Sequence, residues 1–178
     1  MEQLTPMMQQ YMETKNEYKD CILFYRLGDF YEMFFDDAIC AHKELELTLT
    51  GKSCGLKERA PMCGVPFHSA ETYINRLVER GYKVAICEQV EDPKLAKGLV
   101  KREVTRIVTP GTNCFTGSLD ETRNNYLMGI VSVDHSFGIS IVDVTTGEYM
   151  LTEVESVSKL LDEVNKFMPA EIICNDSF

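Results

Sequence analysis

The sequence predicts a mixed α/β fold arranged as two successive units. Short apolar or β-branched runs alternate with helical patterns up to about residue 110. A polar, turn-forming stretch follows, and after it come three strand patterns, one helix and a further short strand. No apolar run approaches the roughly 18 residues that a bilayer span requires, so we expect a globular chain without a membrane segment.

The first unit is predicted over residues 1–110. Thr5 and Pro6 are typical of the N-cap and first position of a helix, and Gly81 is typical of a helix end. Gly28 and Asp29 are expected to turn the chain. The patterns predict helices at 5–18, 30–47 and 70–81, strands at 21–26, 82–90 and 103–110, and a short strand followed by a loop within 47–69.

The second unit is predicted over residues 126–178, after a linker at 111–125. Its element order is β-β-β-α-β, with the helix starting near Ser156 or Ser158. A ribonuclease H-like domain begins in this order. Because the chain ends after the fourth strand, we expect this unit to be partial.

The charge is unevenly distributed along the chain. The formal net charge is −10, but residues 1–115 hold 15 Lys and Arg against 17 Asp and Glu, a net charge of −2. The tract from Lys94 to Arg106 is locally basic, with five Lys or Arg against one Glu. The overall acidity therefore does not exclude nucleic acid as a partner of the first unit.

The cysteines and histidines indicate neither disulfides nor a metal site. Seven cysteines, an odd number without Cys-x-x-Cys spacing, predict free thiols in a reducing cytosol and a cytoplasmic location. His42, His68 and His135 lack metal-ligand spacing. We expect no cofactor and no metal in this chain.

Two apparent catalytic signals are weak. The tract TGKS at residues 50–53 ends like a phosphate-binding loop, but Glu46 stands where the leading glycine is required. Asp134, Asp143 and Glu148 lie at predicted strand ends of the second unit, where clustered carboxylates would hold two metal ions in a ribonuclease H-type nuclease. Acidic residues are ordinary at such positions, so a binding module is favoured and a metal-dependent nuclease is the alternative.

One aromatic segment stands out in the first unit. Residues 24–37 read FYRLGDFYEMFFDD and contain four phenylalanines and two tyrosines. A core helix accounts for several of these rings, but not for Phe30 and Glu32 on either side of Tyr31, just after a Gly-Asp turn. We expect Tyr31 to pack inward.

This segment and four others resemble the MutS family of DNA mismatch recognition proteins. The others read LTPMMQQY, PMCGVPFHS, VAICEQVEDP and REVTRIVTPGT, and all five follow one another in the family's order over residues 4–112. Later GEY and PAEII tracts are similar to the family's connector domain. The resemblance implies a mismatch-recognition domain followed by the start of a ribonuclease H-like connector.

The resemblance also implies a function and its residues. Phe30-Tyr31-Glu32 matches the family's Phe-x-Glu motif, in which Phe30 is a wedge in the base stack and Glu32 bonds the displaced base. Duplex DNA with mismatches or small loops is the implied partner, and another DNA distortion is the alternative. Further possible DNA contacts are Met62, Gly64, His68, Lys101, Arg102 and Arg106.

The resemblance implies, last, that the chain is the amino-terminal fragment of a larger protein. That protein is expected to be a homodimeric DNA-dependent ATPase that uses ATP and Mg and works with a MutL-type repair partner. Its nucleotide site is expected to lie outside residues 1–178.

Overall fold

The computed structural model describes residues 3–91, 96, 98–115, 123–134 and 136–178. Predictions that concern Lys94, Lys97, His135 and residues 116–122 of the linker lie outside these residues. The chain divides into two compact units, Met1–Val108 and Thr109–Phe178. No helix within the described ranges is long and apolar enough to cross a membrane.

The first unit is a six-stranded mixed sheet with helices on both faces. Over its described residues the strand order is β3-β4-β2-β1-β5-β6, in which β1 and β5 are parallel and the other neighbouring strands are antiparallel. Its elements are α1 (Pro6–Glu17), β1 (Cys21–Leu27), β2 (Phe30–Phe34), α2 (Phe35–Leu45), β3 (Thr50–Lys52), β4 (Ala60–Pro66), α3 (Ala70–Glu79), β5 (Lys83–Gln89) and β6 (Arg102–Val108).

Helix α1 covers one face of this sheet. Its Met8 and Tyr11 pack with Leu23, Tyr25 and Phe34, all of which are buried. Strand residues alternate between faces, so Phe24 and Tyr31 lie on the opposite face, where α2 and α3 pack. The start of α1 at Pro6 and the strand at Cys21–Leu27 confirm two of the predictions.

The prediction of one helix over residues 30–47 was wrong at its start. Phe30–Phe34 is instead strand β2, which pairs antiparallel with β1 across the Gly28–Asp29 turn. The helix begins only at Phe35, whose φ of +52° turns the chain sharply between the two elements. A run of residues that is apolar on both faces is compatible with either a buried strand or a helix. Here the segment forms a strand because it pairs with β1 and β4.

The short strand and following loop predicted within residues 47–69 were confirmed at Thr50–Lys52 and at 53–59, but the loop prediction was wrong for residues 60–66. Ala60–Pro66 is strand β4, which lies between β3 and β2 and pairs antiparallel with both. Two prolines and a glycine in this tract favoured a loop. The strand forms because its alternate residues Cys63 and Val65 are buried in the core.

The second unit is a four-stranded sheet with the predicted β-β-β-α-β order. Its elements are β7 (Tyr126–Val133), β8 (Ser136–Asp143), β9 (Glu148–Val154), α4 (Val157–Phe167) and β10 (Glu171–Cys174), in the sheet order β10-β7-β8-β9. Ser156 is the N-cap of α4, since its hydroxyl accepts a hydrogen bond from the Lys159 amide at 3.3 Å. Both units thus confirm the mixed α/β class.

Candidate nucleic-acid interface

Strand β2 presents Phe30 and Glu32 on one face of the sheet. The two side chains project to the side on which α1 packs against Phe34, about 7 Å apart along the strand. Phe30 is 47% exposed, whereas Phe34 is fully buried. Phe30 is therefore not a core ring, although it belongs to an otherwise buried aromatic segment.

A groove of about 300 Å³ runs beside these two residues. Strand β4 forms part of it because Gly64 pairs with Glu32 and Met62 pairs with Phe34. The groove is lined by Phe30, Glu32, Thr48, Thr50, Met62, Cys63 and Gly64. The structure thus brings together Phe30, Glu32, Met62 and Gly64, four of the residues singled out from the sequence.

Gly64 lets strand β4 lie close to the backbone of β2. A Cβ atom at position 64 would lie 3.1 Å from the Tyr31 carbonyl oxygen and 3.4 Å from Cγ of Glu32. The first distance is tight, whereas the second is an ordinary van der Waals contact. A side chain at position 64 would therefore meet the Tyr31 backbone before it displaced Glu32.

The Glu32 carboxylate has a cationic partner that the sequence did not reveal. Nζ of Lys52, on edge strand β3, lies 2.5 Å from Oε2 of Glu32. The same ammonium group lies 5.6 Å from the centre of the Phe34 ring. The TGKS tract is thus an edge strand, and its lysine contacts a carboxylate.

The turn that precedes Phe30 is tied to the chain after β4. The Phe67 amide donates to the Asp29 carbonyl oxygen at 3.0 Å. The Arg26 guanidinium lies 3.7 Å from the centre of the Phe67 ring, a cation–π contact, and 3.5 Å from Oε2 of Glu88. These long-range contacts, which sequence patterns did not indicate, hold the hairpin tip that carries Phe30.

Tyr31 anchors the strand from the opposite face. It is 6% exposed, and its hydroxyl donates a hydrogen bond to Oε1 of Glu88. Burial, with this bond to a carboxylate as the second cause, raises the pKa of Tyr31 to about 12. Tyr31 packs inward as predicted, so Phe30 and Glu32 remain on the other side.

The three basic residues singled out on or beside β6 differ in their surroundings. Lys101 is exposed and pairs with Glu103 at 2.5 Å, and Arg106 is exposed. Arg102 is buried: its Nε donates to the Arg26 carbonyl oxygen at 2.7 Å, and its guanidinium lies 5.2 Å from the Tyr25 ring centre. The geometry gives Arg102 a structural role and does not support the prediction that it contacts phosphate.

His68 lies outside the groove lining. It is exposed in a short 3-10 helix, Phe67–Ser69, which leads directly into α3. Its ring packs edge-on against Phe67 with the ring centres 5.8 Å apart. His68 therefore neighbours the hairpin tip through Phe67.

The structure does not bring together the carboxylates of the nuclease alternative. Asp134 follows β7 at one end of the β7–β8 hairpin, whereas Asp143 and Glu148 pair at the other end of β8. An eight-residue strand separates the ends by roughly 25 Å. Among the described residues, no three His, Cys, Asp or Glu side chains could share a metal ion.

Asp143 accepts hydrogen bonds from the turn that follows β8 and from the residue before β7. It is fully buried and accepts hydrogen bonds from the Asn125, Thr145 and Thr146 amides and the Thr145 hydroxyl, at 2.6 to 3.3 Å. Burial alone would raise its pKa, but these hydrogen bonds outweigh burial and lower the pKa. Asp143 is thus a structural carboxylate.

Two family models match the chain, one for each unit. The model described as MutS domain I matches residues 5–115, and the model described as MutS domain II matches residues 125–178. The two matches cover both α/β units, including the strand that exposes the Phe-x-Glu motif. The chain therefore belongs to the MutS family.

Curated relatives match over nearly the whole chain. The DNA mismatch repair protein MutS of Lachnoclostridium phytofermentans is 72% identical over all 178 residues, and that of Acetivibrio thermocellus is 64% identical over the full chain. The protein of the same name from Clostridium tetani is 59% identical over 97% of the chain. The chain spans about a fifth of these relatives' lengths, 19%, 21% and 20% respectively.

Proposed function

We propose that this chain recognises mismatched or unpaired bases in duplex DNA at the start of mismatch repair. The observation that carries the proposal is the pairing of a half-exposed Phe30 with Glu32 in one groove, while Phe24, Tyr25, Tyr31 and Phe34 are buried. The family membership and the names of the relatives support the same function.

Phe30 acts as a wedge in the base stack. A mismatched pair stacks less well than a matched pair, so unstacking it costs less free energy. A flat apolar ring inserted at that step from the minor groove kinks the duplex preferentially where the DNA is weakest. Base–aromatic stacking is worth about 1–3 kcal/mol and tolerates every base, which suits recognition of any mismatch.

Glu32 supplies the second half of the discrimination. Its carboxylate lies on the same strand face as Phe30 and can accept a hydrogen bond from an N–H group of a displaced base. Against a normal duplex the same negative charge approaches phosphates and disfavours tight contact. One side chain thereby favours the mismatched complex and disfavours the matched one.

The remaining contacts divide into groove and backbone contacts. Met62 and Gly64 border the groove and would meet the bases or sugars beside the wedge. Lys101, Arg106 and His68 are exposed and would approach phosphates. Arg102 is omitted because its guanidinium is buried against Tyr25.

The chain is proposed to work as the amino-terminal part of a larger cytoplasmic DNA-dependent ATPase. Its ATP and Mg site would lie outside these 178 residues, and the whole protein would act as a homodimer with a MutL-type partner. The support is that relatives named as mismatch repair proteins are about five times as long as this chain. Encirclement of the duplex by other domains would stabilise the bent DNA.

The experiment that tests the proposal is Phe30→Ala in the full-length protein. Affinity is measured for a mismatched duplex and for the matched duplex of the same sequence. We expect Phe30→Ala to abolish most of the mismatch preference and to leave matched binding nearly unchanged, because phosphate contacts carry that binding.

Tyr149→Ala is the matched control, since Tyr149 is an aromatic residue of the second unit that is 60% exposed. It should keep the wild-type preference. Retained preference in a folded Phe30→Ala protein would overturn the wedge assignment.

A further inference from the structure

Lys52 reaches Glu32 across an intervening strand. Lys52 lies on β3 and Glu32 on β2, with β4 between them, so the two side chains together bridge two strand spacings, about 10 Å across the strands. The β4 residues that pair with Lys52 and Glu32 are Ala60 and Gly64. Ala60 and Gly64 are four positions apart on β4, so the contact runs diagonally across the sheet face. On this diagonal the lysine Nζ lies 5.6 Å from the centre of the Phe34 ring.

The ion pair is partly shielded from solvent. The side chains of Lys52 and Glu32 are 31% and 17% exposed, and the Nζ to Oε2 distance is 2.5 Å. Charges at such positions interact more strongly than fully exposed pairs. Within the described part of the chain, Lys52 is the hydrogen-bond partner shown for the Glu32 carboxylate.

We propose that Lys52 is a positioning residue that compensates the charge of Glu32 and so sets the strength of discrimination against matched DNA. The inference rests on the proposed function of Glu32. While Lys52 holds the carboxylate, the negative potential that phosphates meet at the groove is reduced. Lys52 therefore weakens the repulsion between Glu32 and the DNA phosphates. As a result, the protein can still bind matched duplex while it searches for a mismatch.

This role predicts unequal effects on the two kinds of duplex. Without the lysine charge, the uncompensated carboxylate repels the phosphates of any duplex. In a mismatched complex the carboxylate gains a base N–H donor, which offsets part of that repulsion. Removal of Lys52 should therefore weaken matched binding more than mismatched binding.

The test is a double-mutant cycle in the full-length protein with Lys52→Met, Glu32→Gln and the double variant. Matched and mismatched affinities are measured at one salt concentration. Lys52→Met should raise the mismatch preference by about three- to fivefold. In the Glu32→Gln background the same substitution should leave the preference unchanged. Lys52→Arg, which keeps the charge, should stay near the wild-type preference.

Three outcomes would overturn the inference. Equal weakening of both duplexes in both backgrounds would make Lys52 a simple phosphate contact. A lower mismatch preference in Lys52→Met would mean that Lys52 orients the Glu32 carboxylate toward the displaced base and does not act by compensating its charge. No mismatch preference in the wild-type protein would overturn the proposed function itself, which separates that failure from the other two. Thermal unfolding of each variant verifies that the domain is folded.

Discussion

Glu32 in the first unit and Asp143 in the second are both strand carboxylates, but their surroundings differ. Asp143 is fully buried, and four donor groups of nearby backbone and side chain point at it. Glu32 lines an open groove and contacts one flexible lysine. The hydrogen-bond donors around each carboxylate thus separate their roles. Asp143 stabilises the fold of its own unit, whereas Glu32 is able to bind a ligand.

The phenylalanines of strand β2 give the largest expected contrast. Phe34→Ala removes a fully buried ring and should lower the free energy of unfolding by about 3–5 kcal/mol. Phe30→Ala removes a half-exposed ring and should cost about 1 kcal/mol or less. Urea unfolding followed by circular dichroism compares the two. A similar large loss in both variants would show that Phe30 is a core residue.

Asp143→Asn should destabilise the second unit. The substitution removes the negative charge and replaces one acceptor oxygen with an NH2 group, which would face the hydrogen-bond donors around position 143. The free energy of unfolding should fall by about 1–3 kcal/mol at neutral pH. Hydrogen exchange of the β8 amides measures the loss. Asp162→Asn, on the exposed side of α4, is the matched control and should change exchange little.

The loss should also depend on pH. The folded pKa of Asp143 is lowered, so its stabilisation is present above the unfolded pKa and disappears as pH falls through the folded pKa. The difference between wild type and Asp143→Asn should therefore shrink below about pH 4. A difference that grew in acid would contradict the assignment.

Glu32→Ala should leave stability almost unchanged and alter DNA binding. Removal of the groove's carboxylate should strengthen binding to matched duplex by about two- to fivefold and lower the mismatch preference. Fluorescence anisotropy with both duplexes measures the effect in the full-length protein. Weaker matched binding in this variant would show that Glu32 does not act by repulsion.

The smallest expected effect is that of ATP on the 178-residue chain. The TGKS tract is the edge strand Thr50–Lys52 with Lys52 bonded to Glu32, so it offers no cradle of loop amides to a phosphate. Calorimetry should show no heat of ATP binding, and phosphate release should stay at background. Weak DNA binding, with a dissociation constant of about 10⁻⁴–10⁻⁶ M or weaker, should not change with ATP. Saturable ATP binding would contradict both the interpretation of TGKS and the proposed location of the nucleotide site.

Local patterns predicted most elements, and long-range pairing determined the rest. Thr5-Pro6 and Gly81 marked helix ends because caps act within a few residues. Strand β2 was missed because Phe30–Phe34 is apolar on both faces and gains its identity from β1 and β4. The contact between Lys52 and Glu32 depends on three strands in register, which local sequence does not encode.

The burial of Arg102 was likewise not predictable from local sequence. Its neighbours Lys101 and Arg106 are exposed, as a basic tract usually is, and composition does not separate it from them. Its guanidinium instead crosses the sheet to the Arg26 carbonyl and the Tyr25 ring. The acceptors come from separate segments, since Gln10 of α1 accepts from Nη1 of Arg102 at 3.1 Å and the Arg26 carbonyl of β1 accepts from Nε at 2.7 Å.

The bare backbone at Gly64 restricts natural variation at that position. Because a Cβ there would lie 3.1 Å from the Tyr31 carbonyl oxygen, the backbone of β2 would have to give by a few tenths of an ångström. The constraint comes from backbone, so changing the side chain at position 32 would not relieve it. Glycine is therefore expected at position 64 whichever residue occupies position 32.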